Sequence, residues 1–390
     1  MIDYEFSTPP RIVFGWGRRK ELGPLAATLG RRAFAVLGSR TLQKNGTWDD
    51  LANALKQANV EPILSAMITR EPKVADVDSL VQALREQGAG AGDFVLALGG
   101  GAAIDLAKAA AALVPNVHGN SVRDFLEGVG TGAQVTAPPL PVLAMPTTGG
   151  TGAEATKNAV ISVEDPPVKK SLRSPLMVPR VVLVDPELAV SVSPQTTAWT
   201  GMDAITQLIE SYLCRFAKPI PQALALPGLQ LALPMVREAV RNGRSRPARE
   251  AMAQAALLSG MALANSGLGI AHGVAAALGV HAEVPHGLAC AMMLPVALRV
   301  NRDVAEKPLA ELARAALPVG MASDSAATLK LIDAIDALCA DLKVPTKLSQ
   351  VGVKPEQLDD LVQGSRGNSM NGNPRQLTDA ELRKILEGCL

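Results

Sequence analysis

Five consecutive apolar residues, Phe94-Val95-Leu96-Ala97-Leu98, run straight into Gly99-Gly100-Gly101 and then into Ala102-Ala103-Ile104-Asp105-Leu106-Ala107-Lys108, whose pattern is helical. A short run with no polar face is buried on both sides, the condition of an interior strand in a parallel sheet. A helix that starts on glycines leaves free N–H groups and the positive end of its dipole outward, with no Cβ to keep a ligand away. Strand, triple glycine and helix thus form a phosphate-binding arrangement or a plain tight turn; the spacing is not GxGxxG.

The segments around this one repeat the alternation. Apolar runs at 32–37, 62–64, 141–146 and 180–185 read as strands, and the amphipathic stretches 48–57 and 77–87 read as helices. Such alternation predicts an α/β fold with a parallel sheet covered on both faces. A second loop of small residues, Met145-Pro146-Thr147-Thr148-Gly149-Gly150-Thr151-Gly152-Ala153-Glu154, also follows a strand. It puts Thr147 and Thr148 at the carboxyl edge of the sheet, where open α/β sheets bind ligands; a flexible turn is the plainer reading. From about Thr196 the apolar residues recur at three and four positions, giving an all-α half with helices near 196–215, 222–241, 247–266, 268–280, 286–301, 306–315, 325–341, 355–363 and 378–387. The expected division is 1–187 and 188–390.

Composition narrows the partners. The 390 residues are 48% hydrophobic and 19% charged, which excludes a disordered chain. Thirty-eight Lys and Arg against 37 Asp and Glu leave a formal charge of +1, so no global field gathers nucleic acid or an anionic membrane. Three Trp, two Tyr and six Phe are too few for base-stacking platforms. Cys214, Cys290, Cys339 and Cys389 form no Cys-x-x-Cys pair, and the acidic, proline-bearing start lacks the features of a secretion signal. Reduced thiols in the cytoplasm are expected. The uncharged stretch 255–280 has the length of a membrane span, but its Ser, Asn, His and Gly content predicts a buried helical hairpin.

Four residues of the helical half stand out. Asp203 and Gln207 lie four apart on one helix face, and two of the chain's four histidines, His272 and His286, sit in apolar helical surroundings. One carboxylate and two imidazoles make a divalent-metal set with a position left for substrate, suited to Fe2+ or Zn2+; hydrogen-bonded core histidines are the alternative.

Taken together these segments resemble the iron-containing (group III) alcohol dehydrogenase family, of the superfamily that includes glycerol dehydrogenase and dehydroquinate synthase. The resemblance is carried by Pro10-Arg11-Ile12-Val13-Phe14-Gly15 with Gly17, Glu71-Pro72, GGGAAIDLAK, Pro139-Leu140-Pro141 leading to PTTGGTGAEAT, Asp185-Pro186, GMDAITQLIESY and HGVAAALGVHAEVPHG, in that order over nearly the whole chain. It implies a Rossmann-like dinucleotide-binding α/β domain, an all-α domain for metal and substrate, and a metal and nicotinamide in the cleft between them. It also implies hydride transfer between a nicotinamide cofactor, NAD or NADP, and a small alcohol, aldehyde or ketone, in a homo-oligomer such as a dimer. The family's metal set maps onto Asp203, Gln207, His272 and His286, with Asp203, His272 and His286 at the catalytic centre. Gln207 stands where a His is expected and makes a weaker ligand or a hydrogen-bonding partner. Ala276 replaces a further His of the family, and nothing in the spacing makes His281 its substitute.

The resemblance also places the cofactor. Its diphosphate belongs on Gly99, Gly100 and Gly101, with Thr147 and Thr148 beside it and Asp105 orienting the helix start. Gly38 stands where members that use NAD commonly carry an acidic residue, so Ser39 and Arg40 favour a 2′-phosphate and hence NADP. Lys157 is read as a surface lysine or as an aid to an anionic substrate. Basic residues do not cluster near the segments 263–268 and 367–370, which favours an uncharged alcohol or aldehyde. A metal-independent enzyme resembling maleylacetate reductase would leave Asp203 unexplained, and a dinucleotide-binding protein without turnover would rest only on Gln207 and Ala276.

Overall fold

The computed structural model describes residues 3–317, 320 and 323–390; Met1 and Ile2, part of the N-terminal composition read above, lie outside them. The chain divides into two compact units, one of residues 7–148 and 152–191, the other of residues 3–6, 149–151 and 192–390.

The first unit is α/β. Its six-stranded parallel sheet has the order β1-β8-β5-β4-β2-β3, formed by β1 (Ile12–Phe14), β2 (Arg32–Leu37), β3 (Glu61–Met67), β4 (Asp93–Gly99), β5 (Val142–Pro146) and β8 (Val181–Val184). The antiparallel pair β6 (Asn158–Val163) and β7 (Val168–Arg173) stands apart from it. Helices α1 (Leu22–Ala27), α2 (Thr41–Lys44), α3 (Thr47–Gln57), α4 (Val74–Glu86) and α5 (Gly101–Leu113) connect the strands. Alternate residues of each strand enter opposite cores, as a pleat of period two requires. Phe34, Val36, Val95 and Ala97 pack with α4 and α5, whereas Ala35, Leu37, Phe94 and Leu96 pack with α1 and α3. The run Phe94–Leu98 is fully buried because both faces are covered.

β2, β4 and β5 are neighbours and run the same way, so the segments that follow them leave the sheet on one edge. The Gly38 N–H bonds the Leu98 carbonyl at 2.8 Å, and the Thr147 N–H bonds that of Gly99 at 3.0 Å. A Cβ added at Gly38 would lie 2.8 Å from Gly99 Cα, and one at Gly99 would lie 2.7 Å from Gly38 Cα. Only glycine at both positions permits this approach.

The second unit is helical: α6 (Pro194–Leu213), α7 (Pro219–Arg241), α8 (Arg246–Asn265), α9 (Ile270–His281), α10 (His286–Asn301), α11 (Glu306–Ala316), α12 (Asp324–Asp341), α13 (Leu358–Gly364), α14 (Asn368–Asn371) and α15 (Asp379–Gly388). Ser193 caps α6 by accepting from the Thr196 N–H, and Pro194 occupies its first turn, where no N–H is needed. The uncharged stretch expected to form a hairpin is instead an elbow: α8 and α9 are largely buried but meet at 99°, so α9 leads away from α8 rather than back along it. Among the described residues no single helix is long and apolar enough to cross a membrane, although this bent pair passes on length and composition alone.

Candidate functional site

Two turns of α6 carry a stripe of buried polar side chains. Asp203, Gln207 and Glu210 follow at four and then three positions, hence on one face, and all three are buried. His272 enters from the first turn of α9, and His286 opens α10 directly after Pro285. The His272 Nε2 lies 3.2 Å from Asp203 Oδ1, and the His286 Nε2 lies 3.7 Å from the same oxygen. The two rings are 5.5 Å apart, centroid to centroid. Among the described residues, Asp203, His272, His286 and Cys290 form a group whose donor atoms all lie within 4.8 Å of one another.

The orientation of His272 is fixed from behind. Its Nδ1 lies 2.7 Å from Glu210 Oε2, and the Glu210 carboxylate also accepts from the backbone N–H groups of Ala271 at 2.7 Å and His272 at 3.3 Å. The Ile270 N–H bonds Asn373 Oδ1 at 3.1 Å. Two side chains therefore satisfy the opening N–H groups of α9, in the role that a capping residue ordinarily fills. Gly269 makes this possible, since a Cβ there would lie 2.7 Å from Glu210 Oε1 and 2.8 Å from Asn373 Oδ1. With Nδ1–H donated to Glu210, Nε2 faces Asp203 Oδ1: protonated it donates to that oxygen, and without its proton it offers the lone pair a metal ligand needs.

The electrostatics of the cluster follow from packing anions around imidazoles. Burial pushes the Asp203 carboxyl up, but the charge on His286 and the hydrogen bond from His272 outweigh it and hold the group below the usual carboxylate range. Burial opposes the charged form of His286, yet Cys290 and Asp203 raise it to about 9. His272 is likewise held well above its ordinary value, against burial, by Cys290, Asp203 and Glu210. The Cys290 thiol is pulled below its usual value by the two imidazoles despite burial. Such a group demands positive charge, which protons on the imidazoles or a bound divalent cation can supply. One carboxylate, two neutral imidazoles and a thiol are donors that fit Fe2+ or Zn2+.

Gln207 stands beside this group with its amide committed. Its Oε1 accepts from Ser259 Oγ at 2.9 Å, and its Nε2 faces Asp203 Oδ1 at 3.5 Å. Ala276 is half-buried one turn beyond His272, and His281, at the far end of α9, packs against Gly364. The residues not anticipated from sequence are Glu210 and Cys290. Both had a readable signal: Glu210 is two helical turns from Asp203 on the same face, and Cys290 is one turn from His286.

In the α/β unit, the loops after β2, β4 and β5 bring together Gly38, Ser39 and Arg40, Gly99, Gly100 and Gly101, and Thr147 and Thr148. Gly100 is the N-cap of α5 in extended conformation, and a Cβ there would lie 3.2 Å from Thr148 Oγ1. The glycine run and Thr148 thus share a surface that one added carbon would begin to fill, as a cradle for a diphosphate requires. Ser39 Oγ accepts from the Thr41 N–H at 3.0 Å, while Arg40 is exposed. Asp105, expected at the helix start, lies in the second turn of α5, where it accepts from the Val160 N–H at 3.0 Å and pairs with Lys108 at 3.7 Å. Its tie is to β6, not to the glycines. Lys157 is half-buried just before β6.

Comparison with known proteins identifies the family. Residues 9–186 match the family described as "Iron-containing alcohol dehydrogenase", and residues 197–390 match "Fe-containing alcohol dehydrogenase family, C-terminal". The chain is 30% identical over 391 residues to the NADPH-dependent butanol dehydrogenase of Clostridium saccharobutylicum, covering 98% of this chain and 97% of that protein. It is 29% identical over 387 residues to the NAD-dependent methanol dehydrogenase of Bacillus methanolicus, covering 99% of each. A crystal structure of 1,3-propanediol oxidoreductase superposes with a TM-score of 0.91 at 28% identity, covering 100% of both chains. The chain belongs to the iron-containing alcohol dehydrogenase family, and it is an oxidoreductase of alcohols and aldehydes.

Proposed function

We propose that the chain transfers a hydride reversibly between a small uncharged alcohol and its aldehyde or ketone. Residues 1–187 hold the dinucleotide, with its diphosphate on Gly99, Gly100 and Gly101. Residues 188–390 hold a divalent cation on Asp203, His272 and His286, together with the substrate. When bound, the cation favours an alkoxide or polarises a carbonyl, and the nicotinamide accepts or donates the hydride.

The observation that carries this reading is the convergence of donors from α6, α9 and α10 on one point, with Glu210 aiming His272 at it. Asp203 supplies negative charge, and the imidazoles supply neutral donors, that of His272 oriented by Glu210 before any ligand arrives. His286 is the ligand open to solvent, its side chain 31% exposed against 4% for His272, so substrate approaches on its side. NADP is the preferred dinucleotide: no carboxylate stands at residues 38–40 to repel a 2′-phosphate, and Arg40 is exposed and free to reach one.

The test combines metal analysis of protein purified without chelator with a screen of alcohols and aldehydes read by reduced-nicotinamide absorbance. About one metal per chain, and loss of both metal and turnover in His272→Ala, are expected. Turnover in wild-type protein free of metal, or unchanged metal content in His272→Ala, overturns the metal assignment.

A further inference from the structure

We infer that Cys290 is the fourth donor to the cation held by Asp203, His272 and His286, where position 207 carries no imidazole. The inference rests on the metal reading above and adds a ligand to it.

The geometry carries it. With metal–nitrogen and metal–oxygen bonds of about 2.0–2.1 Å and a metal–sulfur bond of about 2.3 Å, donors around a tetrahedral ion stand roughly 3.3–3.6 Å apart. The observed separations are 3.2 Å from His272 Nε2 to Asp203 Oδ1, 3.7 Å from His286 Nε2 to Asp203 Oδ1 and 3.7 Å from His286 Nε2 to Cys290 Sγ. These are three of the six separations in the group; the other three, including those from Cys290 to Asp203 and His272, are within 4.8 Å. His286 and Cys290 are one helical turn apart on α10, so a single straight helix presents both.

Gln207 does not occupy that corner. Its carbonyl oxygen, the only atom of the amide able to ligate, is turned to Ser259 Oγ at 2.9 Å. Its NH2 faces Asp203, which it can steady by a hydrogen bond while leaving the cation to others.

The other cysteines separate a ligand from a filler. A buried free cysteine is ordinarily a small apolar residue. Cys339 behaves so, its Sγ set 3.7 Å from the Ala291 carbonyl. Cys290 is equally enclosed, yet its Sγ faces an imidazole nitrogen and lies within 4.8 Å of two further donor atoms. Nothing in packing requires a polar grouping there, whereas a thiolate and a carboxylate together balance a divalent charge.

The experiment uses the full chain, stripped by chelator and reloaded with Co2+ or Zn2+. The cobalt protein should show visible ligand-field bands and a near-ultraviolet sulfur-to-cobalt charge-transfer band; Cys290→Ser should keep the first and lose the second. X-ray absorption of the zinc-loaded wild type needs no variant and should show one sulfur at about 2.3 Å among nitrogen and oxygen neighbours. Cobalt affinity should fall at least about tenfold in Cys290→Ser, since losing a ligand costs no less than losing a residue that orients one. A zinc shell of nitrogen and oxygen alone, with ligand-field bands that depend on His272, overturns the role of Cys290 and leaves the metal reading standing. If cobalt bands survive His272→Ala, the metal reading itself falls.

Discussion

The Glu210 carboxylate holds His272 twice, at the ring Nδ1 and at the backbone N–H. It therefore sets both where the α9 turn lies and which way the imidazole faces. Replacing it by Gln keeps the shape but exchanges a charged acceptor for a neutral one that can also rotate its NH2 toward the ring. Glu210→Gln should weaken metal binding by about 10–100-fold, the usual cost of disturbing a partner behind a ligand. Metal titration followed by calorimetry checks this, and excess metal should restore most of the lost turnover. Loss of turnover at full metal occupancy would place Glu210 in the chemistry itself.

The amide at 207 and the thiol at 290 should trade places. Gln207→His on its own gives the site one donor more than it uses and should raise affinity modestly. Gln207→His combined with Cys290→Ala should recover the affinity that Cys290→Ala loses. Offered Fe2+ and Zn2+ together without oxygen, the wild type should load mainly zinc, because a thiolate is the softer donor, and the double variant should carry a larger share of iron. Elemental analysis of both proteins decides it.

Discrimination between NAD and NADP should fall on Arg40 and not on position 38. Arg40→Ala should lower kcat/KM for NADP relative to NAD by about tenfold or more, the equivalent of about 1.5–3 kcal/mol for a lost charge-assisted hydrogen bond. A carboxylate at 38 is a different matter. Its Cβ would stand 2.8 Å from Gly99 Cα, so Gly38→Asp should destabilise the α/β unit by about 1–3 kcal/mol in denaturant titration before any effect on cofactor choice.

A pH dependence is built into the same unit. Burial raises the Glu154 carboxyl to about 7, against its own backbone N–H and the charge of Lys108. A carboxyl whose folded value lies above its unfolded value contributes stability at low pH and loses that contribution as pH rises through the folded value. Stability should accordingly fall between about pH 4.5 and 7, and Glu154→Gln should flatten the slope in that window. Thermal unfolding at several pH values reads this directly. Lys108, lowered by burial to about 8, acts in the opposite sense, its contribution present above its ordinary value of 10.5 and lost as pH falls through about 8.

Periodicity made the sheet interior and the long helices readable, because a run buried on both faces and a repeat of 3.6 leave strong marks. β1 is only three residues long and offers no period to detect. β6 does alternate, with Ala159, Ile161 and Val163 inward, but its partner β7 buries only Leu172, so half of the pair lacks an apolar signature. Site residues close in sequence, such as Gly99 to Gly101, could be grouped from spacing alone. Asp105 could not be placed, since its partner Val160 lies 55 residues away. Cys290 lies four residues after His286 on α10, an interval that puts both on one face, but a single cysteine in an apolar helix reads as a small core residue until that face is known to meet Asp203 and His272.

Asn373, beyond α14, accepts from Ile270 at the head of the helix that carries His272, and it is tied by a pair of amide hydrogen bonds at 2.9 Å to Asn301. On the proposed assignment all four metal donors precede residue 291, yet Asn373, which shares with Glu210 the opening N–H groups of α9, is made some eighty residues later. During synthesis the ligands therefore leave the ribosome well before the anchor that positions one of them. On that assignment, metal capture should be a late step, and a nascent chain stalled short of Asn373 should carry every proposed ligand and hold the ion less tightly.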